Sequence, residues 1–192
     1  MSHPLTSFAV LLRFCVSGLL PIGLLVAASL AWAQSQPDET KALLPQAQLS
    51  GTAKLTFWGF DVYNAELWVG PGFRRDQYEQ HEFCLELSYL RAFSNAAIAE
   101  RSIDEMRRHG NFTESQAQRW EKQLKSAYPS VKKGDRIVGV NLPGKGVVFF
   151  TNGKKTGEVL DPELARLFFG IWLAPTTSEP QLRKALLART EP

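Results

Sequence analysis

His81, His109 and Cys84 are the side chains beyond residue 33 whose chemistry turns most readily to catalysis or metal binding, and their spacing serves neither. Neither histidine belongs to an HExxH pair, and one cysteine cannot supply the thiolates of a structural zinc site. No GxSxG elbow is present. A Ser-His-Asp triad would have to use a histidine lying in a charged, turn-like stretch, so both are expected as surface residues. Gly153-Lys154-Lys155-Thr156 resembles the tail of a phosphate loop, but the six residues between Gly146 and Gly153 exceed the four such a loop needs, and a hairpin accounts for Gly153 better. Glu100, Asp104 and Glu105 alternate with Arg101, Arg107 and Arg108, which reads as a solvated, ion-paired helix face rather than paired acid and base. Lys132-Lys133 and Lys154-Lys155 flank turns with no aromatic ladder to join them into a groove for single strands. The expectation is no catalytic residue, no metal and no cofactor.

Aromatic residues make up 11% of the chain, and most are expected in the core. Two phenols stand apart. Tyr63 shares a strand face with Leu67, and Tyr89 shares one with Leu85 and Leu87, so each hydroxyl needs a partner if its ring is buried, or is available to orient a ligand's carboxylate or carbonyl.

The elements that must position them are legible from period. Leu55, Phe57, Tyr63, Ala65, Leu67 and Val69 alternate in two strands reversing near Gly59, and Phe83, Leu85, Leu87 and Tyr89 form a third strand. Ser94 is placed to cap a helix carrying Ile98, Ser102, Ile103 and Met106, with Gly110 as its left-handed stop. Thr113 and Gln116 have capping-box spacing for a second helix with Ala117, Trp120, Leu124 and Ala127 on one face, stopped by Pro129. Strands over 137–142 and 147–151, and a further one after the Asn152-Gly153 turn, make a second meander. Asp161-Pro162 opens a helix through Leu164, Phe168, Ile171 and Trp172, and Ser178 with Gln181 suggests a capping box for a last helix. Two groups of three strands, each followed by helices, specify an α+β fold with an antiparallel sheet packed against a layer of helices.

At 192 residues the chain suits one compact domain that can bury a core without disulfides. Its first 33 residues read as a signal peptide: Arg13, an apolar run from Phe14 to Leu30, then Ala31-Trp32-Ala33 for cleavage after Ala33. A spanning anchor is the rival reading, but the run is short and interrupted by Gly18, Pro21 and Gly23. Cleavage implies secretion across the inner membrane, a periplasmic location and no stable membrane anchor. Residues 34–46, with Pro37 and Pro45, are expected as a flexible leader, and 47–190 as the domain. Loss of Arg13 lowers the formal charge from +3 to +2, too slight a surplus to favour nucleic acid as partner. Cys84 then remains alone and is expected buried as a small hydrophobe.

The run Leu55-Thr56-Phe57-Trp58-Gly59-Phe60-Asp61-Val62-Tyr63 resembles the strand signature of the chalcone isomerase superfamily. Residues 83–102 are similar to its third strand and helix. Val131-Lys132-Lys133-Gly134-Asp135, Phe149-Phe150-Thr151-Asn152-Gly153 and Phe168-Phe169-Gly170-Ile171-Trp172-Leu173 resemble its exported bacterial branch, so the likeness runs from about Leu49 to Leu187. The resemblance implies the same sheet-and-helix fold. The family's plant enzymes close a phenol onto an unsaturated ketone with an Arg, a Thr, a Tyr and an Asn around the carbonyl. Here the Thr position holds Trp58, the Arg falls near Gln46 or Ala47, the Tyr near Ala97 and the Asn near Asp104, so the donor set is absent. A cleft without donors aimed at a developing enolate oxygen binds without catalysing.

Non-catalytic relatives bind fatty acids, although the Arg they use for the carboxylate is also unmatched here, with Arg91 the nearest substitute. The resemblance therefore implies an exported, non-catalytic domain holding a small apolar or fatty-acid-like ligand between sheet and helices, lined by Tyr63, Tyr89, Arg91 and Trp120. The alternatives are an intramolecular lyase of the isomerase type using other residues, and an envelope scaffold whose aromatic surface meets another protein.

Overall fold

The computed structural model describes residues 35–190; the expected signal peptide and its cleavage point lie outside them. Residues Gln34–Pro192 form one compact unit. Six strands follow one another in the sheet in chain order, each antiparallel to the next: β1 (Gln48–Phe57), β2 (Phe60–Val69), β3 (Phe83–Tyr89), β4 (Arg136–Leu142), β5 (Gly146–Thr151) and β6 (Lys154–Val159). Helices α1 (Asn95–Met106) and α2 (Glu114–Ala127) separate the two meanders, and α3 (Pro162–Leu173) and α4 (Pro180–Leu186) close the chain. The α+β architecture expected from the sequence is the one observed.

The register explains the two-faced strands. Leu55 and Ala53 of β1 pair with Tyr63 and Ala65 of β2, which pair in turn with Tyr89 and Leu87 of β3, so one face carries the apolar series that the helices cover. Burial of that series beneath α1, α2, α3 and α4 is the main stabilising contribution, at roughly 25 cal/mol per Å² of apolar surface removed from water. The caps are largely as expected. Ser94 Oγ accepts from the Ala97 amide at 3.1 Å. Thr113 and Gln116 complete a reciprocal capping box on α2. Asp161 accepts from the amides of Glu163 and Leu164 ahead of Pro162.

The structure departs from the sequence reading in four places. Of the stretch 34–46 expected as a flexible leader, the described residues 35–46 continue with Ala47 as a strap on the sheet face opposite the helices. It makes a 3-10 turn at Asp38–Thr40 and buries Thr40 and Leu44 beside Trp68, Cys84, Val138 and Val140. Its polar composition concealed a few anchoring side chains. Ser178 does not cap α4: its hydroxyl donates to Glu105 Oε2 at 2.8 Å, and the cap position falls to Glu179 with no side-chain bond. Helix α1 ends at Met106, and Gly110 does not adopt a positive φ.

The fourth departure concerns charged and ionisable groups. Glu105 is buried rather than solvated, bridging Arg101 at 2.6 Å and Arg108 at 3.1 Å. Both histidines are half-buried rather than free on the surface. His81 packs on the Phe73 ring at 5.5 Å, and His109 Nδ1 lies 2.8 Å from Thr176 Oγ1. Cys84 is buried as expected, with burial raising its thiol pKa to about 12.

Candidate functional site

Tyr63 and Tyr89 are cross-strand partners on the helix-covered face, and their rings meet edge to face with centroids 6.0 Å apart. Both rings are buried. The Tyr63 hydroxyl accepts a hydrogen bond from Trp172 Nε1 of α3 at 2.9 Å. On the other side the Tyr89 ring contacts Phe93 at 6.0 Å. The Arg91 guanidinium lies 5.8 Å from the Phe93 centroid and 5.3 Å from that of Phe60. A line of rings thus runs from α3, beneath β2 and β3, to the exposed turn between β1 and β2.

The polar atoms along this line are unequal. Burial pushes the Tyr63 phenol above its usual range, with the Trp172 bond opposing it. Burial also raises Tyr89, assisted by the neighbouring phenols of Tyr63 and Tyr128, and no hydrogen bond of its hydroxyl is found among the described residues. Tyr128, at the end of α2, is raised by burial too, and its hydroxyl lies near Ser102 without a well-formed bond. The Ser102 hydroxyl donates instead to the Ile98 carbonyl at 2.8 Å. The phenolic O–H groups of Tyr89 and Tyr128 therefore both retain capacity to donate, and that of Tyr128 is fully buried. An uncompensated buried hydroxyl costs about 1–3 kcal/mol, and Tyr128 carries that cost here.

Three of the four residues nominated from the sequence lie along one line of rings: Tyr63 and Tyr89 buried, Arg91 exposed at its outer end. Trp120 does not join them. It is fully buried, packs on Phe112 at 5.0 Å, and its Nε1 donates to Asp161 Oδ2 at 2.7 Å, which ties α2 to the cap of α3. Phe93, Tyr128 and Trp172 were missed as neighbours of the tyrosines. Tyr128 directly precedes the helix-stopping Pro129, one turn beyond Leu124 on the buried face of α2, and that placement was the available signal.

The positions matching the plant donor set offer nothing to the interior. Trp58 is 86% exposed, while Gln46, Ala97 and Asp104 are also on the surface and Ala47 is half-buried. The layer between sheet and helices is filled by rings, among them Phe83, Phe149, Phe168, Phe169 and Trp172 in successive edge-on contacts. Depressions on the surface of the described residues lie elsewhere. One, of ≈ 340 Å³ beneath the strap, holds Arg136 between Glu39 at 2.8 Å and Glu86 at 2.9 Å. Another, of ≈ 500 Å³, lies among Glu79, Pro143, Glu163 and Arg166. Neither contains a nominated residue.

Comparison with known proteins places these observations. The profile of a family described as chalcone isomerase-like matches residues 33–188. An uncharacterised protein of Haemophilus influenzae is 27% identical over 146 residues, covering 73% of this chain and 68% of that protein. The crystal structure of an Arabidopsis thaliana fatty-acid binding protein superposes with a TM-score of 0.57 at 12% identity, covering 74% of this chain and 87% of the plant chain. At that identity the likeness is one of fold.

Proposed function

From its membership of the chalcone isomerase-like family, we propose that the chain is a non-catalytic binder of a small apolar or fatty-acid-like molecule. The carrying observation is the buried, unpartnered hydroxyl of Tyr128 beside the buried ring of Tyr89, whose hydroxyl makes no hydrogen bond among the described residues, at the inner end of a line of rings. A carboxyl or carbonyl oxygen accepting from the Tyr89 hydroxyl gives it a partner, while Phe93 and Phe60 flank the apolar part and Arg91 stands at the mouth. A phenol held neutral by burial donates without carrying charge, which suits a protonated acid or an ester better than a buried carboxylate. Entry requires Phe93 to swing aside, because the rings are in contact in the ligand-free chain.

The absence of Arg, Thr, Tyr and Asn donors at the plant positions supports binding without ring closure, since removal of a single oxyanion donor costs about 2.7–4 kcal/mol of barrier. The reading includes export, with cleavage after Ala33 delivering the protein to the periplasm. The test is purification from the native compartment, solvent extraction and mass spectrometry, with amino-terminal sequencing of the same sample. Recovery of one class of long-chain acid or ester on a chain starting at Gln34 is expected. Repeated recovery of nothing, or flavanone formation from a chalcone, overturns it.

A further inference from the structure

Phe57, Trp58 and Phe60, at the turn joining β1 and β2, are 55%, 86% and 63% exposed, an unusual concentration of apolar rings at one tip. Tyr63 is the last β2 residue in the β3 ladder and Val62 still accepts from the Leu90 amide at 2.9 Å, so Phe60, Asp61 and the turn extend past that pairing by roughly 7 Å at the usual rise per strand residue. Nothing in the fold requires the indole there. Trp58 and Gly59 are the two central residues of a tight hairpin with φ of +52° and +79°. The β5–β6 turn has the same pattern, with φ of +49° at Asn152 and +82° at Gly153. Asn-Gly is the pair such turns favour; a bulky Trp in the left-handed region is an outlier. The chain thus adopts one geometry twice, once with the favoured residue and once with a strained, solvent-facing indole.

The antiparallel register puts this tip at the same end of the sheet as the segment after β3, the loop before β4 and the β5–β6 turn. These segments carry Arg91, Lys133 and Lys154, all exposed, and among the described residues none is ion-paired with a carboxylate. The two carboxylates in the same segments are already engaged: Asp61 with Lys54 at 2.8 Å and Thr56 at 2.9 Å, and Asp135 with Lys132 at 2.8 Å. Projecting rings, one of them an indole, with cations behind them that no carboxylate neutralises, complement a surface that is anionic outside and apolar beneath. The geometry points to peripheral docking of this end of the sheet on an anionic lipid surface, with Phe57, Trp58 and Phe60 entering the interfacial layer and Arg91, Lys133 and Lys154 facing the headgroups.

This docking does not depend on an interior ligand. Among the described residues no helix is long and apolar enough to cross a membrane, so the contact is with the surface.

The experiment is flotation of the compact unit from Gln34 to Pro192, whose core is self-contained, with vesicles of phosphatidylcholine alone and of phosphatidylcholine mixed with phosphatidylglycerol. Co-flotation with the mixed vesicles is expected, weakening with added salt. Trp58→Asn, which installs the residue used by the second turn, should lower the partition coefficient about tenfold or more while keeping the far-ultraviolet spectrum. Lys133→Gln with Lys154→Gln should remove the preference for anionic vesicles. Quenching of indole fluorescence by brominated lipid should vanish in Trp58→Asn. Failure of the wild-type unit to float, or equal flotation of Trp58→Asn, overturns the proposal. A Trp58-dependent dimer in sedimentation without lipid also overturns it, assigning the tip to a second copy. A solution assay with a fluorescent fatty acid keeps the two readings apart, because Trp58→Asn should leave that binding intact.

Discussion

Trp172 of α3 reaches beneath the sheet to donate its indole N–H to the hydroxyl of Tyr63 on β2, at 2.9 Å between groups 109 residues apart in sequence. The bond joins the last large helix to the first hairpin. It also divides the two cross-strand tyrosines by role, Tyr63 held by the fold and Tyr89 left with a free donor.

Tyr63→Phe should leave the Trp172 N–H buried without a partner and cost about 1–3 kcal/mol in urea denaturation. A cycle with Trp172→Phe should show the double variant losing less than the sum of the single losses. Strict additivity would mean that the bond contributes nothing.

Tyr89→Phe should behave in the opposite way. Removing a hydroxyl with no internal partner is expected to leave stability within about 0.5 kcal/mol of wild type or slightly above it. Retention of the extracted ligand should nonetheless fall. Unchanged retention would return Tyr89 to the core as a space-filling ring.

Trp58→Asn relieves a left-handed backbone at a side chain that touches little else, and should raise unfolding stability by about 1 kcal/mol, read as an increase in Tm. A loss of stability would show that the indole packs in solution in a way its exposure conceals.

Asp135 is held at a pKa of about 2, below the ordinary 3.8, first by its bond from the Lys132 side chain and then by bonds from the Lys132 amide and Asn152. A depressed carboxylate stabilises the fold above its unfolded pKa, and that contribution is lost as pH falls through the folded value. The acid limb of Tm between pH 3.8 and about 2 should therefore be flatter in Asp135→Asn than in wild type. Identical limbs would remove Asp135 from the account.

Gly51 of β1 lies under α4, where an added Cβ would sit 2.0 Å from the Ala185 carbonyl oxygen. Backbone cannot yield as a side-chain tip can, so Gly51→Ala should cost at least about 2–3 kcal/mol, by lifting α4 from the sheet. Limited proteolysis near residues 180–187 should detect it, and unchanged cleavage and Tm would show that the helix accommodates the methyl.

The elements were legible where local chemistry alone decides them. Period two in β1 to β3, the Thr113–Gln116 box and the Asp161-Pro162 start each state their structure within a few residues. What escaped were features fixed by distant partners. Ser178 has the local pattern of a cap, but Glu105, 73 positions earlier, takes its hydroxyl. The polar strap looked like a linker because only Pro37, Thr40 and Leu44 within it are buried, and the partners of Thr40 and Leu44 lie on β2, β3 and β4. The site was half legible for the same reason. Strand alternation put Tyr63 and Tyr89 on one face, whereas Trp120, equally aromatic and equally periodic, satisfied its indole with Asp161 instead.

The strap brings with it a clock. Cys84 Sγ lies 3.9 Å from Thr40 Oγ1 and is out of reach of solvent while residues 35–47 remain seated. A thiol reagent that modifies only an uncovered sulfur would time how often that segment peels away, and the labelling rate would report the event without any engineered probe.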